Sequence, residues 1–387
     1  MKIMNGQNTL HLERSTKLVS NINYCAFLKF KKNEVFALND LTGELKEKVN
    51  VFFDMPNELP FKSRREKKEE YSAQELLDFK NKSFLKKIEE QKVYLNSKLN
   101  WLPEFYFDNY DIDPLVSIDG KTYNYQTIID NFSQFGMVPV CGVDDRIPAH
   151  LDSILNSKKL GKFKTDKVAI RITQSVFEDY EYIEEEFNDL VNILRKNFSQ
   201  IILIFDLRYI LDQHINLTNL NIFLDKIVLT EFYQIMIAGS SLPKSIADLI
   251  ETNKKIHMDR KEVFIFSRVI EKIPSAYFGD YTCVPPDTNF LDLYIEDIAS
   301  RMTGKIFYIY DKKVLVVRSS RLKGQRAPFK PLLDCIVSQP FFRKEKYSYG
   351  DKYIVEKQPN GTGVSASSIL RPNINLHMSY MLRDFSI

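Results

Sequence analysis

Five short apolar runs in this chain stop at aspartate. They are VNVFFDMP at Asp54, LPEFYFDNYD at Asp108, MVPVCGVDD at Asp144 and Asp145, QIILIFDLRY at Asp206 with Arg208 two residues on, and AYFGDY at Asp280. Carboxylates gathered in this way have a definite chemistry. As hard oxygen ligands they hold Mg²⁺, and metal-bound water can hydrolyse a phosphodiester. Asp54, Asp206 and Asp280 are the ligand candidates. Lys29 and Lys31, at the end of YCAFLKFKKNE, and Arg171, in KVAIRIT, would either grip a substrate phosphate or neutralise the acids. Glu34 follows and is placed to start a helix, where its charge favours the N-terminal dipole. Each aspartate also has a plainer role, capping a helix or opening a turn.

Two further groups bear on binding. In FYQIMIAGSSLP, Gly239, Ser240 and Ser241 are small enough to let backbone N–H groups approach a phosphate, and Pro243 suits the first turn of a helix. Small residues also suit any tight loop. Arg318, Arg321, Lys323, Arg326 and Lys330 lie close together without an acid, ahead of Phe342, Tyr347 and Tyr349. That combination makes single-stranded nucleic acid a candidate ligand, against a merely solvated basic loop. The run KSRREKK (62–68) is interrupted by acid and reads as a solvated face. His150 is the one histidine expected near the acidic strand ends, and a capping role is the default for it. Gly-x-Ser-x-Gly, Walker and Gly-x-Gly-x-x-Gly motifs are absent from the sequence.

The elements that must position these side chains alternate. Strands are expected at Tyr24–Phe30, Val49–Asp54, Leu102–Phe107, Met137–Val143, Val168–Ile172, Ile201–Phe205, Gln234–Ala238 and Ala276–Phe278. Helical spacing falls between them: Leu38, Leu41, Leu45 and Val49; a long helix from about Ala73 to Leu99 with Leu76, Leu77, Leu85, Ile88 and Leu95 inward; Ile128, Ile129 and Phe132; residues 150–160; and Ile183, Phe187, Leu190, Val191 and Leu194. Leu220, Phe223, Leu224 and Ile227 follow, then a short helix from Pro243 and another over 260–273. Strand–helix alternation implies a parallel sheet, and a count of eight implies closure into a (β/α)8 barrel, with a doubly wound sheet as the alternative. In such a barrel the strand C-termini meet on one rim, where chemistry is done. The expected organisation is an extension over 1–20, a barrel over 21–300 with a charged insertion at 57–72, and 301–387 packed on the barrel. That last part reads as a hairpin turning near Asp311-Lys312, a closing eighth helix in FKPLLDCIVSQPFF, and a tail with two strand-like pieces.

Composition narrows the setting. The 387 residues are 44% hydrophobic, enough for a large core. Fifty-four basic residues against 51 acidic ones leave a formal charge of +3, so there is no global footprint for nucleic acid or an acidic membrane. The four cysteines, Cys25, Cys141, Cys283 and Cys335, lack zinc or redox spacing and read as reduced thiols. No apolar run has membrane-spanning length, and the first residues lack a signal-peptide core. A cytoplasmic protein without a membrane partner is expected.

Specific residues carry a family resemblance. YCAFLKFKKNEVFALNDL followed by VNVFFDMP resembles the opening of the beta protein family of bacteria and phages. Arg171 in AIRIT, Asp206 in IFDL, AGSSLP, Phe278-Gly279-Asp280-Tyr281, Tyr349-Gly350-Asp351 and His377 match further motifs in order. Asn33 stands where the family often has glycine, and Leu376 where it often has a second histidine beside His377. The resemblance implies a setting in phage–host conflict, as part of a defence or prophage module, with a protein partner encoded nearby that is similar to a nuclease. It implies no reaction. The expected function is therefore interaction with that partner, with a charged pocket at the barrel rim. The alternative is a metal-dependent hydrolase, or a binder of a phosphorylated ligand such as a nucleotide or nucleic acid.

Overall fold

The computed structural model describes residues 23–57, 72–143, 146–287, 302–324 and 327–387. The expected extension at 1–20, nearly all of the insertion, Asp144, Asp145 and Arg326 lie outside the described residues.

Eight parallel strands close into a barrel, which removes the doubly wound alternative. They are β1 (Tyr24–Lys29), β2 (Asn50–Asp54), β3 (Phe105–Asp108), β4 (Met137–Cys141), β5 (Lys167–Thr173), β6 (Gln200–Tyr209), β7 (Gln234–Ser240) and β9 (Tyr277–Asp280), with β9 hydrogen-bonded to β1. Strand side chains alternate between faces. The inward set, including Phe27, Phe52, Tyr106, Val140, Ile204, Met236 and Tyr281, forms its own core inside the barrel. Phe27 stacks on Phe52 at 4.4 Å and Phe52 on Tyr106 at 6.0 Å, so aromatic rings fill much of the interior. The outward set packs under the helices.

Those helices are α1 (Lys32–Asn39), α2 (Gly43–Lys46), α3 (Ala73–Ser97), α4 (Asn124–Phe132), α5 (Pro148–Lys159), α6 (Gln174–Glu178), α7 (Tyr180–Arg195), α8 (Gln213–Lys226) and α9 (Lys261–Lys272). The expected first helix is two, broken at residues 40–42, yet Leu38, Leu41 and Leu45 are buried as the spacing required. Ser72 and Glu75 cap α3 reciprocally. On α3 the inner face is Phe84, Ile88, Gln91 and Leu95, whereas Leu85 is 44% exposed, one position out of phase with the expectation. Gly136 turns the chain from α4 into β4 at φ +89°, and a Cβ there would lie 2.1 Å from the Pro103 carbonyl oxygen. Gly136→Ala is expected to cost about 2 kcal/mol or more, since both the backbone and the neighbour resist it. A thermal melt matching wild type would refute this.

The segment after the barrel differs from the sequence expectation in three places. The hairpin exists, as β10 (Thr303–Tyr310) and β11 (Lys313–Arg321), but it gains a third strand, β8 (Lys255–Asp259), on β11. The two strand-like pieces of the tail are helices, α11 (Tyr349–Lys357) and α12 (Leu370–Arg383). Ten residues of α12 are buried, so it shows no one-sided stripe, and its Asn, His and Ser residues favour helix weakly. The expected closing helix forms as α10 (Lys330–Val337) but packs on the hairpin and α11. The ring beside β1 is closed instead by α12, which packs on α1, α2 and β1. Among the described residues no helix is long and apolar enough to cross a membrane. All four cysteines are free, three of them buried and Cys335 partly exposed.

Candidate functional site

Phe52, Tyr106 and Ile204 point into the barrel, so Asp54, Asp108 and Asp206, two residues further on, do too. Ala169 does the same for Arg171 on β5. The result is a layer of charge at the C-terminal end of the barrel, on top of the aromatic core. Arg171 is its centre and has no solvent exposure. Its Nη1 donates to Asp54 Oδ1 and Asp108 Oδ2, each at 2.7 Å. Its Nε donates to Asp206 Oδ2 at 2.9 Å, and Nη2 to Asp206 and, at 3.0 Å, to the Tyr281 hydroxyl. Tyr281 in turn donates to Asp206 at 2.6 Å, and Phe52 lies under the guanidinium at 5.0 Å.

A second tier stands above. Lys29 reaches Asp54 at 3.1 Å and also Asp111. Arg146 reaches Asp108 at 2.9 Å. Arg208 holds Asp287 and lies 3.3 Å from Asp111. The ring of Tyr110 touches three guanidinium groups, those of Arg146, Arg171 and Arg208. Burial pushes the Asp54 carboxyl up, but the charges of Arg171, Lys29 and Arg208 outweigh it and hold the group well below the usual carboxylate range. Burial likewise opposes the charge on Lys29, and Asp54 and Asp111 overcome it, leaving the amine raised. Burial and Asp206 keep Tyr281 protonated.

Of the rim candidates, Lys29, Asp54, Arg171, Asp206 and Arg208 come together here. Asp280 does not. On β9 it faces outward, between barrel and helices, where it accepts from Tyr24 (2.8 Å) and contacts Arg260 and His377 (2.8 Å). Burial raises its carboxyl, but His377 and Arg260 bring it down to about 2. The trio Asp54, Asp206 and Asp280 therefore does not converge. Among the described residues no three His, Cys, Asp or Glu side chains are arranged to hold a metal ion, and the acids that do converge meet on a guanidinium. Lys31 is the residue ahead of α1, and Glu34 is buried in its first turn. Burial pushes the Glu34 carboxyl up to about 7, with Lys31, Lys29 and Lys87 pulling the other way.

The remaining candidates are tied into the framework. A Cβ on Gly239 would meet Ile210 at 2.8 Å, so the glycine serves close packing. Ser240 Oγ accepts from the Leu242 amide, and Ser241 bonds Glu262 and the Lys261 amide at the start of α9. Arg318 donates to the Ile250 carbonyl at 2.6 Å, while Arg321 and Lys323 are exposed. His150 is fully buried, stacks on Tyr125 at 4.0 Å and places Nε2 2.7 Å from the Val140 carbonyl, which requires the proton on Nε2. Burial keeps it neutral, down to about 4.

A family model described as Beta protein matches residues 24–383, nearly the whole chain. The chain belongs to the Beta protein family. No curated protein and no solved structure matches it. In this family member the matched segment begins at β1 and ends on α12, so it spans the barrel, the ionic layer and the closing helix together. The residues missed from sequence are Asp108 as an Arg171 partner, Tyr110, Asp111, Arg146, Arg260 and Asp287. Asp108, Tyr110 and Asp111 lay in plain view in FDNYD, the first ending a strand and the other two just after it. Arg146, Arg260 and Asp287 had no local signal.

Proposed function

We propose that this chain is a binding subunit of a phage–host conflict module, and that it acts by holding a partner protein against α7 and α8. The observation that carries this reading is that α8 exposes two isoleucines on the side away from the barrel. Leu220, Phe223 and Leu224 are buried against the barrel. On the other side Ile215 and Ile222 are 56% and 48% exposed, continued by Leu211 before the helix and Val228 after it, at 75% and 58%. Residues seven apart share a helix face, so Ile215 and Ile222 line up on it, with Leu211 and Val228 exposed just beyond its two ends. A monomer gains nothing by leaving these side chains in water.

The neighbouring helix says what kind of partner fits. On α7, Glu181, Glu184, Glu185 and Asp189 are exposed, and no basic residue interrupts them before Arg195. Lys226 of α8 reaches one of them, Glu181, at 3.4 Å. A partner segment with an apolar stripe flanked by lysine and arginine complements this face in both respects. The nuclease-like companion that the family resemblance implies is the partner we favour. A metal-dependent hydrolase at the rim would require Arg171 to be withdrawn from Asp54 and Asp206 before a metal could reach them.

The test is co-purification with the products of the genes flanking its own. Ile215→Glu combined with Ile222→Glu is expected to weaken partner binding by about 100-fold, of the order seen when central apolar anchors are lost. Because both side chains are exposed, the melting temperature should stay within a degree or two of wild type. Retention of the partner by the folded double variant would end this reading.

A further inference from the structure

The upper tier of the ionic layer reaches solvent at its edge: the side chains of Lys29, Asp111 and Arg208 keep 11%, 15% and 13% of their exposure. Its geometry has the form of an occupied ligand site. The Tyr110 ring lies 4.8, 4.8 and 4.7 Å from the guanidinium carbons of Arg146, Arg171 and Arg208. The next residue, Asp111, sets its carboxylate between Lys29 and Arg208. A flat ring on guanidinium faces, joined to an anion held by lysine and arginine, is how proteins grip a base that carries a phosphate. Both residues lie at the start of the irregular segment 109–123 between β3 and α4, outside any strand or helix.

Arg208 supplies an independent observation. It adopts φ +46°, a conformation that side-chain-bearing residues rarely take. Its Nη1 is buried and has no acceptor among the described residues. Backbone strain and an unmet buried donor on one residue mark a place shaped for something else.

We infer that this rim is a binding site for a nucleoside monophosphate, occupied in the resting protein by Tyr110 and Asp111 of its own chain. The base takes the place of Tyr110 among the guanidiniums. The phosphate takes the place of Asp111 between Lys29 and Arg208, and its additional oxygen gives Arg208 Nη1 an acceptor. When Asp111 leaves, Lys29 keeps Asp54 and Arg208 keeps Asp287, so the cations are not stranded. The internal occupant reduces the apparent affinity to the fraction of time that the site stands open. The site is separate from the α7–α8 face and does not depend on the partner reading.

The experiment is isothermal titration calorimetry of the full chain with adenosine 5′-monophosphate and, separately, inorganic phosphate. Tyr110→Ala with Asp111→Asn is expected to bind the nucleotide about tenfold more tightly than wild type. Adding Arg208→Ala should abolish that gain. Asp111→Asn alone keeps the side-chain volume and one partner for each cation. If the double variant fails to fold, it carries the same comparison, with a gain of about threefold expected. Equal affinity in wild type and the opened variant overturns the proposal, as does the absence of binding heat in both. A gain that survives Arg208→Ala, or phosphate binding as tightly as the nucleotide, overturns it too.

Discussion

Arg171→Ala is expected to lower the unfolding free energy at pH 7 by about 3–5 kcal/mol, because it leaves buried carboxylates without their shared cation. Asp54, Asp108 and Asp206 are each at most 1% exposed, so water cannot replace the guanidinium. Arg171→Lys should recover part of the loss, since an ammonium restores the charge but not the planar fork that reaches three strands at once. The pH dependence gives a second check. The Asp54 carboxyl is held below its ordinary range in the folded protein. A depressed carboxyl contributes stability that is present above the unfolded value and fades as pH falls through the folded one. Wild type should therefore lose this contribution in acid, and the gap to Arg171→Ala should narrow below about pH 4. Urea titrations across pH measure both. Equal midpoints at pH 7 would show that the layer contributes nothing to stability.

Glu34→Gln is expected to do the opposite and stabilise the protein, but only in neutral and alkaline solution. Burial moves the Glu34 carboxyl from its ordinary 4.5 to about 7 in the folded state. For an acid raised in this way the folded chain binds the proton more tightly than the unfolded chain does. Stability is then greatest below the unfolded value and falls as pH rises from about 4.5 to about 7. Glutamine imitates the protonated form at every pH. At pH 4 the variant and wild type should unfold together. At pH 8.5 the variant should be more stable by about 3 kcal/mol, the free-energy equivalent of moving the carboxyl from 4.5 to about 7. A difference that does not change between these pH values would contradict the assignment.

The barrel was legible because its signals are local. Each strand is a short apolar run closed by a polar residue, and helices such as α7, with Ile183, Phe187, Leu190, Val191 and Leu194, show their buried stripe openly. The tail was not, because α12 is buried almost all round and its pattern carries no period that distinguishes strand from helix. β8 was missed for the opposite reason: its residues alternate between exposed and half-buried, and a strand so lightly covered exists only by pairing with β11, more than fifty positions later. The site was half legible. Strand alternation places Asp54, Asp206, Arg171 and Lys29 on one inner surface, and these were found. The same rule turns Asp280 outward, one residue past the inward Gly279, but applying it requires the register of β9, which the run AYFGDY leaves open. Tyr110 and Asp111 were passed over because loop residues acquire meaning from what folds back on them.

The closing role of α12 bears on how the molecule is made. Its Arg371 clasps Asp40 and its Asn375 donates to the Ala37 carbonyl, contacts between positions more than three hundred residues apart. On the ribosome, β1 and α1 emerge more than three hundred residues before the helix that covers them. The surface of α1 that Arg371 and Asn375 cover in the finished protein is bare throughout that interval. Folding of this side of the barrel is thus tied to the arrival of α12, and a nascent chain arrested before residue 370 should depend on chaperones to stay out of aggregates.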